Sequence, residues 1–364
     1  MFKKLDKGIL YMTFIMIFVG IIIFFSASLS GLENTDFFAS IFLKQIVAIF
    51  LGLAIFFFLI KTKSFSSQSL RKYSVYIFFV TAIIQLLVLV PNIGLEYKGA
   101  MRWIDLGVIS IQPSEFFKYS LIIFFSAVIA TRGEKLKKFK NFLILGTIFT
   151  LPVSAFFIYI HDFGTLMSIL LAYFIILLLS ANKNWHLFLV TLIGGISIGF
   201  LAYNFVPYAQ HRIDNFLSQN KIEQASYHNK QMIYTIGAGQ ITGRGYGASL
   251  QKYSGLIPEP LGDSIFPIYA EEVGFVGSVI LIILFFFLSF FIFISAKKRK
   301  NSFEKMTMAG LGTLIIFPIF YNISASMSLV PLSGMPITFI SKGGTAIFSA
   351  IVIMGLLLRI SRER

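Results

Sequence analysis

An all-α, polytopic membrane protein with ten transmembrane helices and one long extracytoplasmic loop is what these 364 residues predict, and three observations carry the expectation. Hydrophobic side chains make up 57% of the chain and charged ones only 13%, against roughly 25% charged in an ordinary soluble domain. Uncharged runs of the length a spanning helix needs, about 20 residues, recur from one end to the other. Basic residues gather in alternate connections between those runs. This composition excludes a soluble enzyme, a disordered tail and a fibrous repeat. The chain has no Cys, so disulfides, thiolate nucleophiles and Cys-based metal sites are excluded too.

Taken in order, Lys7 to Glu33 encloses 25 uncharged residues, Lys72 to Glu96 23, Lys140 to Asp162 21, Asp162 to Lys183 20, Lys183 to Arg212 28 and Glu272 to Lys297 24. Phe38–Ile60 and Thr338–Leu358 add two spans with one internal lysine each, Lys44 and Lys342. Gln112–Ala130 is a span that carries Glu115 and Lys118. Between Lys305 and Lys342 there is room for one more, Met306–Met327, and a Pro/Gly-rich connection. The first run follows Lys3, Lys4 and Lys7 and ends on the small residues Ser26-Ala27-Ser28, the pattern of a signal peptide, but it is long for one. It reads as a retained helix.

The formal charge is +15, from 31 Lys and Arg against 16 Asp and Glu. In a soluble chain that would suggest nucleic acid. Here, with the N-terminus cytoplasmic, 21 of the 31 basic residues fall in inner connections and every inner connection holds at least one. The positive-inside rule then orients both termini to the cytoplasm, and no nucleic-acid partner is expected. Residues 207–264 form the one long connection, on the outer side, with glycines at 237, 239, 243, 245 and 247. Long loops tend to be functional. Neither an internal repeat nor a separate soluble domain is visible, so residues 1–364 read as a single transmembrane domain.

An ionised group in the hydrocarbon region costs several kcal/mol unless paired or hydrated, so each one needs a reason. Glu115 and Lys118 are three apart and share a helical face, behind a Pro113 suited to open the helix. They read either as a mutually neutralised packing pair or as part of an outer polar pocket with Arg102 and Asp105. The pocket would suit an anionic amphiphile with an apolar tail. Asp162 reads as an N-cap of the following span, which is compatible with a site role. Asp263 follows Pro258-Glu259-Pro260-Leu261-Gly262 and precedes an apolar span. Capping alone does not explain that Pro- and Gly-fixed approach, and a carboxylate held rigidly at the membrane–water boundary is a candidate general base. The glycines at 237–247 lack a dinucleotide-binding context. Lys342-Gly343-Gly344-Thr345 looks like part of a phosphate loop but lies on the outer side, where no nucleotide is expected. The four His are scattered, without metal-ligand spacing.

Several segments together resemble the SEDS family (shape, elongation, division, sporulation), the peptidoglycan polymerases that include RodA, FtsW and SpoVE, over nearly the whole chain. They are Gly99 through Gly107 (GAMRWIDLG) with Gln112 through Lys118 (QPSEFFK), His161-Asp162-Phe163-Gly164-Thr165, Gln231 through Gly245, Pro258 through Phe275, and Pro331 through Gly344. Ser249-Leu250-Gln251-Lys252 is closer to the FtsW branch. The chain departs from the pattern in three places: His161 replaces a Pro, Leu261-Gly262 stands where His-Thr is usual, and Lys342 replaces a customary Tyr.

The resemblance implies ten membrane helices and polymerisation of lipid II, a disaccharide-peptide on undecaprenyl pyrophosphate. An acceptor hydroxyl attacks C1 of the donor sugar with inversion, which calls for a base near the hydroxyl and cationic help for the leaving pyrophosphate. By resemblance Asp263 is that base. Arg102 and Lys118 are electrostatic partners of substrate anions, Glu115 holds Lys118, Asp162 shapes the outer cavity, and Arg244 and Lys252 are loop candidates for substrate binding. Expected partners are lipid II, membrane lipids and a class B penicillin-binding transpeptidase. The residues name no cofactor, and a divalent cation, Mg or Mn, bridging pyrophosphate and carboxylate is compatible with the chemistry. The competing readings are a lipid II flippase, with polar residues along the whole transbilayer path, and a non-catalytic scaffold for the transpeptidase.

Overall fold

The computed structural model describes residues 6–29, 35–62, 65–97, 100–105, 107, 110–133, 139–180, 199, 203–204, 210, 213–214 and 227–362. Nine long helices are described: α1 (Lys7–Ser28), α2 (Thr35–Lys61), α3 (Ser67–Leu86), α4 (Ser114–Arg132), α5 (Phe139–Tyr159), α6 (Phe163–Ser180), α9 (Ile265–Lys297), α10 (Ser302–Ser326) and α11 (Gly344–Ser361). Two shorter ones, α7 (Tyr227–Ala238) and α8 (Leu250–Tyr253), lie in the long connection before α9. Eight of the long helices are long and apolar enough to cross a membrane, and α5 adds a shorter apolar stretch, Ile144–Tyr159. The expected span between Lys183 and Arg212, and the part of the loop before Tyr227, lie outside the described residues apart from a few isolated positions.

The layering runs against apolarity, as it does where lipid rather than water lies outside: the apolar windows of α4 and α10 are the least hydrophobic and among the most buried, while the most hydrophobic, that of α9, is largely outward-facing. Buried residues make up 83% of the apolar window of α10 and 72% of those of α4 and α11, but only 17% of that of α3. Accordingly α10 is the central pillar, packed on α4, α6 and α9, while α11 lies along α2 and α3 covers α4 from outside. The outward faces are apolar rather than polar: Phe50, Tyr76, Phe79, Ile83, Phe286 and Phe290 are all exposed. A surface of this kind is stable only against lipid. Local signals set the helix starts. Asp6 accepts from the N–H groups of Gly8 and Ile9 at the head of α1, Ser66 from Ser69 at α3, and Asn301 from Phe303 at α10. Pro318 interrupts the bonding of α10, and the Thr338 hydroxyl donates to the nearby Ile315 carbonyl at 3.1 Å.

Two expectations need correction. The chain is not purely helical: between α3 and α4 lies a three-stranded antiparallel sheet in the order β1 (Gly94–Tyr97), β2 (Ala100–Asp105), β3 (Ser110–Ile111). Its register pairs Leu95 with Trp103 and Ile104 with Ile111, with an irregularity between Leu95 and Glu96. Strands this short leave no trace in a window sized for spanning helices. Secondly, the last span begins at Gly344 rather than at Thr338, which leaves Lys342 outside the helix; α9 begins at Ile265, directly after the 207–264 connection, and carries Glu271 and Glu272 buried inside it with partners. Counting uncharged residues stops at the first acid and cannot see a compensated one.

Inside α9 the helix is broken at Gly274 (φ 69°, ψ −166°), a conformation essentially reserved for glycine. The segment 240–245 is inserted into the break. Arg244 and Gly245 donate their N–H groups to the carbonyls of Glu271 and Glu272 at 3.0 and 2.9 Å. The N–H groups of Phe275 and Val276 go to the carbonyls of Gln240 and Ile241 at 2.9 and 3.2 Å. Two carbonyls and two amides of α9 at the break thus find partners in the loop, as buried backbone requires.

Candidate functional site

The site is built where the α5–α6 turn, β2, the start of α4, the turn before α9 and the segment before α11 converge. Helix α5 ends at a left-handed His161 (φ 57°). His161 and Asp162 return their N–H groups to the carbonyls of Ile158 and Phe157 at 3.1 and 2.9 Å, the paired closure of a Schellman turn. The same Asp162 then caps α6. Its Oδ1 accepts from Thr165 N at 3.4 Å, and its Oδ2 from Thr165 Oγ1 at 2.8 Å and from Ser114 Oγ at 3.4 Å. Arg102, projecting from β2, sits with Nε 3.6 Å from Asp162 Oδ1 and donates through Nη2 to the His161 carbonyl. Asp162 is therefore both the helix cap and an ion-pair partner.

Pro113 opens α4 and places Glu115 and Lys118 on one face. Lys118 Nζ lies 2.8 Å from Glu115 Oε1, and Ser349 on α11 donates to the other Glu115 oxygen at 3.3 Å. Both charged residues are buried. They also line an open cavity, so the two readings of the pair hold together: it is neutralised, and it belongs to the pocket.

The cavity, about 860 Å³ counting its open mouth, is lined by Arg102, Glu115, Lys118, Asp162, Asp263 and Lys342 among its charged residues. Trp103, Gln112, Tyr119 and Gly334 line it too. Gly334 (φ 74°) keeps the floor open: a Cβ there would sit 3.8 Å from both Arg102 Nη1 and Asp263 Oδ2. Asp263 is presented by a turn tied down from several sides. Gly262 N and Ser264 N both donate to the Glu259 carbonyl, at 3.0 and 3.2 Å. Ser341 Oγ donates to the Gly262 carbonyl at 3.0 Å, and Lys342 N to the Leu261 carbonyl at 2.6 Å. Ser264 Oγ donates to the Pro258 carbonyl at 2.6 Å and contacts His228 Nε2 on α7 at 2.8 Å. A serine has one proton to give, so the imidazole is the donor to Ser264.

Five of the seven residues expected at the site, Arg102, Glu115, Lys118, Asp162 and Asp263, thus meet around one cavity. Arg244 and Lys252 do not line it. Lys252 Nζ is fully buried, 2.6 Å from Glu272 Oε1 and 2.8 Å from the Ser26 carbonyl of α1. Arg244 Nε is 3.4 Å from Glu271 Oε1. These two basic residues clamp the loop to α9 and α1. Asp105, grouped with Arg102 by sequence proximity, is exposed and accepts from Gly107 N at 2.8 Å. Three positions along a strand turn a side chain to the other face. Sequence reasoning missed Trp103, Ser341, His228 and the site position of Lys342. The Tyr-to-Lys departure at 342 was the available signal for the last of these.

Among the described residues no group of three His, Cys, Asp or Glu is placed to hold a metal ion. Glu115 and Asp162 are already committed to Lys118 and Arg102. The cavity therefore offers a divalent ion no set of protein carboxylates, and no reaction step is assigned to one.

Lys118→Met tests the pair. The Glu115 left behind faces an open cavity that water can enter, so the variant is expected to stay folded. Polymer formation from lipid II should fall by about tenfold or more, the scale of a charge-assisted hydrogen bond. Loss of folded protein on size exclusion would assign the pair to packing alone.

Comparison with known proteins places this geometry. The family described as cell cycle protein, FTSW_RODA_SPOVE, matches residues 7–364. A probable peptidoglycan glycosyltransferase FtsW of Polynucleobacter necessarius is 30% identical over 371 residues, covering 98% of this chain and 86% of that one. A chain of a peptidoglycan synthase complex that coordinates polymerization and crosslinking shares the fold with a TM-score of 0.80 at 21% identity, over 98% of both chains. The rod shape determining protein RodA of Thermus thermophilus does so with a TM-score of 0.72 at 21% identity, over 99% of this chain and 97% of that one.

Proposed function

This chain belongs to the FtsW, RodA and SpoVE family of cell cycle proteins, and from that premise we propose that it is a peptidoglycan glycosyltransferase that polymerises lipid II, with Asp263 as general base. The observation that carries the assignment of the base is the Asp263 carboxylate. It stands on a turn hydrogen-bonded from both the loop and the segment before α11, in a cavity whose Arg102 and Lys118 are cationic. The acceptor 4-hydroxyl would lose its proton to Asp263 as its oxygen attacks C1 of the donor. The bond from C1 to the pyrophosphate oxygen breaks on the opposite face, so the α-linked donor gives a β-linked product. Fixed cations stabilise charge developing on the leaving group without reorganising. Arg102 and Lys118, each held by a carboxylate, would orient the sugar and shape the field around it.

The topology that suits this chemistry has ten spans, both termini cytoplasmic and the 207–264 loop outside. The distribution of basic residues supports it. A class B penicillin-binding transpeptidase is the fitting partner, since strands polymerised here need crosslinking. The experiment is reconstitution of the full chain in liposomes with labelled lipid II, with and without that transpeptidase. Glycan strands are the expected product. Transbilayer movement of lipid II without polymer would replace the enzyme reading by a flippase. Neither movement nor polymer, with transpeptidase still bound, would replace it by a scaffold.

A further inference from the structure

Three cations line the cavity, and their surroundings differ. Arg102 stands against Asp162 and Lys118 against Glu115, so each brings its own counter-charge. Lys342 lines the same cavity with an exposed side chain. Among the described residues no carboxylate lies within ion-pair distance of it and no acceptor receives its ammonium protons.

Its backbone, by contrast, is fixed. The N–H of Lys342 is held 2.6 Å from the Leu261 carbonyl, two residues before Asp263. The buried Gln45 brackets it, donating to the Ser341 carbonyl at 3.2 Å and accepting from Gly343 N at 3.4 Å. An exposed ammonium that lines the cavity on a fixed backbone, with no carboxylate beside it, keeps its full charge for an anionic ligand. Arg102 and Lys118 are already half-neutralised and attract a further anion less.

We propose that Lys342 is a substrate-binding cation that receives the diphosphate of the polyprenyl-linked donor. The cavity then has a leaving-group end at Lys342 and a proton-accepting end at Asp263. This deepens the glycosyltransferase reading and rests on it. In the transfer, the new bond forms between the acceptor oxygen and C1 while the bond from C1 to the diphosphate oxygen breaks. The proton passes to Asp263 and the electron pair stays on the diphosphate, which gains one negative charge beside the Lys342 ammonium. Strengthening of that contact as charge develops is what lowers the barrier.

The test is direct binding of undecaprenyl pyrophosphate to the detergent-solubilised full chain, with undecaprenol as the uncharged control. Lys342→Met is expected to weaken pyrophosphate binding by about tenfold or more and Lys342→Arg by about threefold or less, with undecaprenol binding unchanged in both. Equal affinity of wild type and Lys342→Met overturns the proposal. So does an equal loss for undecaprenol, which would mean a collapsed cavity. A defect seen with lipid II bearing ionised stem carboxylates, but absent with undecaprenyl pyrophosphate, also overturns it and assigns Lys342 to the peptide instead. The two readings fail separately. A wild type that binds the pyrophosphate but makes no glycan removes the enzyme and leaves the diphosphate site standing.

Discussion

Asp263→Asn is expected to abolish polymerisation while leaving a folded chain that still binds lipid II. The amide has nearly the shape of the carboxylate and can keep its place on the Pro258–Ser264 turn, which is tied down through its backbone and through the hydroxyls of Ser264 and Ser341. What it cannot do is accept a proton at neutral pH. Positioned general bases contribute about 10²–10⁴-fold, so product from the variant should drop by that factor in a gel assay of glycan strands. Affinity for lipid II should stay within a small factor. Full polymerisation by Asp263→Asn would remove the aspartate from the chemistry and leave it the role of a cap.

The second large effect is on stability and lies away from the cavity. Lys252→Met should destabilise the chain by about 3–5 kcal/mol, the penalty for stranding one partner of a buried ion pair. Glu272 is 3% exposed, and its partner is the fully buried Lys252 ammonium at 2.6 Å. Removing the lysine leaves an uncompensated carboxylate beside Ser26 of α1. Unlike Glu115, this carboxylate does not line the open cavity, and water has no route to it there. Thermal unfolding in detergent reads the loss. The double variant Lys252→Met with Glu272→Gln should recover most of it, because a buried pair removed together costs far less than a pair broken. If Lys252→Met melts with the wild type and loses only activity, Lys252 belongs to substrate binding after all.

Much of this was legible before any coordinates. Uncharged runs between charges give the spanning helices, since a bilayer penalises each unpaired charge within them. Pro113 marks the start of α4 and spacing by three puts Glu115 beside Lys118. The rigid approach to Asp263 shows in its prolines and glycine. What stayed hidden was what depends on contacts distant in sequence. Lys252 looks the same in sequence whether it faces substrate or Glu272. Glu271 and Glu272 look like the outer limit of a span until their partners, 20 to 27 residues earlier at Arg244, Ser249 and Lys252, are seen closing over them. Lys342 shows the converse: counted inside an apolar run, it stands before α11 in the structure, and among the described residues no carboxylate lies within ion-pair distance of it.

The inserted segment at Gly274 bears on how the loop can move. The four main-chain groups it engages, the carbonyls of Glu271 and Glu272 and the amides of Phe275 and Val276, are the same four that a continuous helix would pair with one another at i and i+4 spacing. Loop and helix are thus rival partners for one set of donors and acceptors. Four bonds hold the loop in the break, and a continuous helix would return only two of them, so the inserted loop is the better-bonded arrangement unless water takes up the amides of Arg244 and Gly245 and the carbonyls of Gln240 and Ile241. Gly274 holds the break open in a backbone conformation that a side chain would not adopt.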